Sequence, residues 1–161
     1  PSYPDTSTWL ERFPNLIVTR TFSKAYGLAG LRVGYALSHP DVAALLNRVR
    51  QPFNVNSVAQ AAAVAALDDI EYLQQGIRRN REGMEQLVTG CRKLDLATIE
   101  SAGNFVAVHT GRGLERYEAL LQQGIIVRPV ANYGMPDHLR VSVGRADENA
   151  RLLTALERVL A

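Results

Sequence analysis

The chain has 161 residues, enough for one domain or for parts of two. Its apolar share of 47% and charged share of 21% are those of an ordinary globular protein, and 18 basic against 16 acidic residues leave a formal charge of +2. The basic residues are scattered and form no run interleaved with aromatics, which argues against a nucleic-acid partner; no apolar stretch reaches the length of a membrane span; and one cysteine, Cys91, excludes an internal disulfide framework and fits a reducing cytoplasm.

The chain opens on Pro1-Ser2-Tyr3-Pro4, which has no leader-like pattern and reads as a loop cut from something longer. Leu16 to Thr19 is a short β-branched run, expected to be a buried strand. A polar loop with Gly27 and Gly30 follows, and Val33 to Leu37 reads as a second strand. Val42, Leu45, Leu46 and Val49 fall on one face of a helix that Pro52 stops. Ser57 with Gln60 fits a capping box opening a helix over 58–67. Ile70, Leu73, Ile77, Met84, Leu87, Val88 and Cys91 then mark one long helix over about 69–94, although Gly76 and Gly83 weaken it. Beyond it a strand at 105–109, a helix at 114–123 closed by Gly124, strands at 125–127 and 138–143, and a last helix with Leu152, Leu153, Leu156, Val159 and Leu160 alternate. Strands mixed with helices imply an α/β or α+β layer.

The loop after the first strand carries the chemistry. Lys24 stands where a strand gives way to a glycine-bearing loop, the rim at which ligands bind in open α/β folds. A lysine amine can form a Schiff base with a carbonyl. Thr21 and Ser23 place hydroxyls beside it, and Arg32 supplies a guanidinium suited to a phosphate. Gly27 and Gly30 allow a tight turn and close approach of backbone to an anion. Read from chemistry alone, these remain equally well a set of solvated loop charges. A Ser-x-x-Lys type of nucleophile motif is excluded, because its Ser-Asp-Asn and Lys-Thr-Gly partners do not occur.

The ordered string Thr-Phe-Ser-Lys-Ala-Tyr-Gly-Leu-Ala-Gly-Leu-Arg-Val-Gly-Tyr, Thr21 to Tyr35, closely resembles the lysine loop of fold-type I, pyridoxal-phosphate-dependent aminotransferases. The resemblance implies that Lys24 holds pyridoxal phosphate as a Schiff base and shuttles the catalytic proton, and that Ser23, Arg32 and Thr21 contact the cofactor phosphate. It extends from about Trp9 to the end of the chain. Gln51 to Ser57, Gly124 to Pro129, Tyr133-Gly134 and Leu139 to Gly144 are similar to segments of the histidinol-phosphate aminotransferases. In that family the arginines matching Arg128 and Arg140 contact the substrate phosphate, and the second also holds a carboxylate. Asn54 is placed at the site by the same likeness, and Asn104 is a weaker candidate. The nearest relatives to exclude are threonine-phosphate decarboxylases and aromatic aminotransferases; a non-catalytic truncated module is the reading from outside the class.

The implied fold is α/β. Residues 1–68 would be the C-terminal part of the large cofactor-binding domain, 69–94 a long connecting helix, and 95–161 the small C-terminal domain. The implied reaction exchanges an amino group between L-histidinol phosphate and 2-oxoglutarate, in a cytoplasmic homodimer that binds neither nucleic acid nor membrane. Residues that complete the cofactor site would lie upstream, so the piece alone is expected to be inactive. His39, His109 and His138 have no metal-ligand spacing with one another or with Cys91, and no metal is expected. His39 before Pro40 suits a helix cap, His109 a strand end, and His138 shares a strand face with Arg140. Cys91 falls on a helix's apolar stripe and suits core packing.

Overall fold

The structure, a computed structural model, describes residues 4–161. The expectation of a loop at Pro1 to Pro4 therefore lies almost wholly outside the described residues. The chain divides into two compact units, one running to Gly76 and the other Ile77–Ala161, each of which mixes helices with antiparallel strands.

In the first unit β1 (Ile17–Thr21) pairs antiparallel with β2 (Gly34–Ser38), with Thr21 opposite Gly34. The first strand is not buried as expected. Val18 is covered, but Ile17 stays 44% exposed, because among the described residues the ribbon has two strands only and alternate side chains have nothing to pack against. Helix α1 (Pro40–Val49) begins at His39, whose Nδ1 accepts from the Asp41 amide, and ends before Pro52. Its stripe of Leu45, Leu46 and Val49 lies uncovered among the described residues.

Helix α2 (Ser57–Asp68) starts one residue earlier than the expected capping box. The cap is Asn56, whose Oδ1 accepts from the Ala59 amide at 2.8 Å; asparagine is among the strongest N-caps, and Ser57 becomes the first helical residue. Gln60 instead donates its side-chain amide to the Val55 carbonyl. Helix α3 (Ile70–Lys93) is continuous through Gly76 and Gly83. The second of these has a packing reason, since a Cβ at Gly83 would lie 2.5 Å from Val143 Cγ1.

The second unit is a four-stranded antiparallel sheet in the order β3 (Thr98–Ile99), β4 (Phe105–His109), β6 (Met135–Ser142), β5 (Arg128–Val130). One sheet face is apolar. Val106, Val108, Leu139 and Val141 point into a core closed by Leu87 and Cys91 of α3, Leu120 of α4 (Gly113–Gln122), and Leu152, Ala155 and Leu156 of α5 (Ala146–Leu160). Burial there pushes the Cys91 thiol up to about 11, as an inert packing cysteine requires.

The strand expected at 125–127 is absent. Gly124, at φ 72°, closes α4 with its amide donating to Leu121, while the Ile125 amide donates to Leu120. This is a Schellman closure, and it uses the Ile125 amide on the helix instead of on a ladder. The strand begins only at Arg128.

Asn149 is the polar tie of this unit. It is 2% exposed; its Oδ1 accepts from the Gly144 amide at 2.9 Å, and its Nδ2 donates to Gln86 Oε1 at 3.1 Å and to the Gly144 carbonyl at 3.2 Å. Asn149→Ala leaves these groups without their partner in a covered place. It is expected to cost about 1–3 kcal/mol, seen as a lower midpoint in denaturant unfolding of the full-length protein; an unchanged midpoint would remove that role.

Candidate functional site

The lysine loop is shaped by its own backbone. The Phe22 amide donates to the Val33 carbonyl and the Leu28 amide to the Phe22 carbonyl, so the two sides of the loop are stitched above the ribbon. Phe22 is 4% exposed, with its ring against those of Tyr26 and Tyr35 at centroid distances of 4.9 and 5.9 Å. Lys24 is exposed next to this anchor. Its carbonyl accepts from the Gly27 amide at 2.9 Å, which closes a tight turn. Gly27 is required by its backbone, for φ is 72°; a Cβ there would also press on the Tyr72 hydroxyl, the tip of an exposed ring, at 2.9 Å. Gly34 is held by close approach alone, since a Cβ there would sit 2.6 Å from the Arg20 carbonyl oxygen across the ribbon.

Three of the expected phosphate contacts are brought together. The Ser23 amide donates to Thr21 Oγ1 at 3.0 Å, and Arg32 Nη1 donates to Ser23 Oγ at 3.4 Å and to the Ala29 carbonyl at 2.7 Å. Arg32 adopts φ 54°, a left-handed conformation at a non-glycine residue. Such strain persists where the surroundings impose it, commonly at binding sites. The result is a cluster of two hydroxyls and a guanidinium adjoining the exposed Lys24 in the chain, with no carboxylate hydrogen-bonded or ion-paired to the cluster among the described residues.

Asn54 is not joined to that cluster by a hydrogen bond among the described residues. Its Oδ1 accepts from Arg50 Nη1 at 3.2 Å, inside the α1–α2 loop, while Arg50 Nε donates to Asn47. Asn104 lies at the start of β4, where its carbonyl accepts from the Val143 amide.

The two arginines expected at the substrate phosphate are cross-strand neighbours. Arg128 on β5 and Arg140 on β6 are register partners, side by side on the sheet face turned from the core. The intervening chain makes the 3₁₀ turn Ala131–Tyr133 and reverses at Gly134 with φ 76°. Arg140 lies over the Phe105 ring with its guanidinium carbon 4.9 Å from the centroid. Among the described residues neither arginine has a carboxylate partner; the ion pairs there join His39 to Asp41, Arg112 to Glu115, and Arg145 to Asp147 and Glu148. Like charges directly opposite on a sheet are unfavourable without a counterion.

His109 ends β4 and is the register partner of His138, which lies on the same face as Arg140. That placement makes His138 a neighbour of the arginine pair, a relation visible in the sequence only as two residues along one strand. Among the described residues no group of three His, Cys, Asp or Glu side chains could hold a metal, and no helix is long and apolar enough to cross a membrane.

A sequence model of the family "Aminotransferase class I and II" matches residues 2–156. The chain is 60% identical over 159 residues to a Pseudomonas fluorescens protein named histidinol-phosphate aminotransferase 2, covering 98% of this chain and 43% of that one. A Pseudomonas aeruginosa protein of the same name is 62% identical, again over 98% of this chain and 43% of the relative. The chain thus spans about two fifths of the length of the curated relatives it matches. Among solved structures, the histidinol-phosphate aminotransferase of Sinorhizobium meliloti in complex with pyridoxal-5'-phosphate has a TM-score of 0.83 at 35% identity, covering 91% of this chain and 41% of that one. The Clostridium acetobutylicum histidinol-phosphate aminotransferase has a TM-score of 0.89 at 22% identity, over 95% of this chain and 48% of that one, a likeness of fold. The mixed α/β fold is therefore that of a part of a fold-type I aminotransferase.

Proposed function

The chain belongs to the class I and II aminotransferases, and from that membership we propose that it is the C-terminal part of a histidinol-phosphate aminotransferase. The full-length enzyme would exchange an amino group between L-histidinol phosphate and 2-oxoglutarate, giving imidazole-acetol phosphate and L-glutamate. The observation that carries the substrate assignment is the cross-strand pair Arg128 and Arg140, which presents two guanidinium forks with no carboxylate among the described residues. A phosphate dianion suits that pair. The names of relatives at about 60% identity support the same substrate.

Pyridoxal phosphate fits the lysine loop. The test is the hydrogen-bonded cluster itself, in which Thr21, Ser23 and Arg32 gather donors for a phosphate next in the chain to the exposed Lys24. Thr21, Ser23 and Arg32 would hold the phosphate and Lys24 the carbonyl end. When bound, the cofactor supplies an electron sink for bond breaking at the substrate α-carbon. The residues of this chain do the rest. The Lys24 amine takes up and returns the proton at the substrate α-carbon. Arg128 and Arg140 fix the substrate by its phosphate, and Arg140 takes the carboxylate of glutamate in the other half-reaction. Asn54 is proposed as a further substrate contact on the strength of the resemblance.

In the parent, residues 1–68 would complete the large cofactor domain, 69–94 connect, and 95–161 form the small domain, in a cytoplasmic homodimer. A direct assay tests the reading. The full-length enzyme should form glutamate from histidinol phosphate and 2-oxoglutarate, whereas the 161-residue chain should bind pyridoxal phosphate weakly and turn nothing over. Turnover by the isolated chain would contradict the second expectation. Release of carbon dioxide from threonine phosphate, without amino transfer, would replace the first.

A further inference from the structure

The sheet face that carries the arginine pair holds another polar group beside it. On β6, Leu139 and Val141 point into the core, so His138 and Arg140 leave the opposite face together. Across the ladder His109 faces His138, with ring centroids 4.9 Å apart at 75°. An edge-on contact of this kind restrains the imidazole's rotation. Nδ1 of His138 is buried and has no hydrogen-bond partner. A buried N–H without an acceptor is costly, so in the neutral ring the proton belongs on Nε2. Nε2–H is then the donor this ring can offer a ligand.

The charge around it is one-sided. On the same face stand Arg140, two residues along, and Arg128 opposite Arg140. The neighbouring carboxylate, Asp137, accepts from the Arg112 amide at the start of α4 at 3.2 Å. The cross-strand partner of Arg140 on β4 is Ala107, whose methyl group adds no charge to the face, and the Arg140 guanidinium lies over the neighbouring Phe105 ring. The strip therefore presents two guanidinium groups and no ion-paired carboxylate that a phosphate would have to displace.

We propose that His138 is a third donor of the anion site, its Nε2–H meeting an oxygen of the phosphate held by Arg128 and Arg140. The inference rests on the phosphate reading above and adds a specificity-determining residue to it. Its chemical sense is a count of oxygens. A phosphate monoester presents three terminal oxygens and a carboxylate two, so a third donor favours the phosphorylated substrate over glutamate at the same arginines.

The test is made in the full-length enzyme with histidinol phosphate, histidinol and glutamate as probes. His138→Ala and the similarly sized His138→Leu should raise KM for histidinol phosphate about tenfold to a hundredfold, the range for one hydrogen bond to a charged group. Both should leave kcat within a few-fold and glutamate kinetics unchanged. His138→Gln, which can carry an N–H to the Nε2 position, should recover most of the loss; His138→Asn, whose N–H reaches only the Nδ1 position, should not. Calorimetric titration of histidinol phosphate and histidinol gives the same comparison without turnover. Recovery by asparagine instead of glutamine would overturn the proposal, and so would equal losses for all three probes. If Arg128→Ala abolishes phosphate preference while the histidine variants keep it, His138 is no donor and the arginine reading survives. If none of these substitutions alters phosphate preference, the phosphate reading itself falls.

Discussion

Lys24→Ala in the full-length enzyme is expected to remove transamination by about a thousandfold or more. Proton transfer by a positioned side chain contributes roughly 10²–10⁴-fold, and alanine also removes the amine that captures the carbonyl. Nothing else in the chain can substitute. The only other lysine, Lys93, is the last residue of α3. The loss should be chemical and not a failure to fold, because the Lys24 side chain is exposed and the loop is held by backbone bonds and by the buried Phe22. Lys24→Arg separates charge from chemistry: it keeps a cation in place but has no amine to capture a carbonyl, so it should be as inactive as alanine. Borohydride reduction of the wild-type enzyme with pyridoxal phosphate, followed by peptide mass spectrometry, should place the pyridoxyl group on Lys24. A pyridoxyl group on Lys93, or retained turnover in Lys24→Ala, would sink the assignment.

Much of this arrangement was legible before any coordinates, and the failures have physical causes. The long helix α3 was readable because its apolar residues keep a helical period through three turns and more, which outweighs the propensity cost of Gly76 and Gly83. The family was readable because the ordered string from Thr21 to Tyr35 carries more information than any one of its residues. Boundaries were harder. Ile125 to Val127 has the composition of a strand, yet its first amide is committed to closing α4, a choice that depends on a left-handed Gly124 and not on hydrophobicity. Asn56 displaced Ser57 as the cap of α2 because both are good caps and only geometry decides. The register of β5 against β6 was out of reach as well. The sequence put Arg128 and Arg140 on or beside strand-like segments, but the ladder is what sets Arg128 directly opposite Arg140 and His109 opposite His138.

That register makes the second large effect specific. Arg128→Ala in the full-length enzyme should lower kcat/KM for histidinol phosphate by about tenfold to a hundredfold, with a smaller loss for histidinol and for glutamate. Residues directly opposite on a ladder hold their Cβ atoms roughly 4.5–5.5 Å apart, a spacing from which two arginine side chains can turn to one anion. Each charge-assisted hydrogen bond to a phosphate oxygen contributes about 1.5–3 kcal/mol, and a ratio of ten corresponds to about 1.4 kcal/mol. Arg140 differs from Arg128 in its surroundings. It is half-buried and rests on the Phe105 ring, which restrains the guanidinium and adds cation–π attraction. Arg128 is exposed at the start of an edge strand. The fixed arginine is the better candidate for an anion common to both substrates, and the exposed one for the extra charge of the phosphate. Arg140→Ala should therefore slow both half-reactions, while Arg128→Ala should act mainly on the phosphorylated one. The measurement is kcat/KM for histidinol phosphate, histidinol and glutamate before and after each substitution. Equal losses for all three substrates in Arg128→Ala would detach the phosphate from this pair, leaving Lys24 and Arg32 to support an aminotransferase of other specificity.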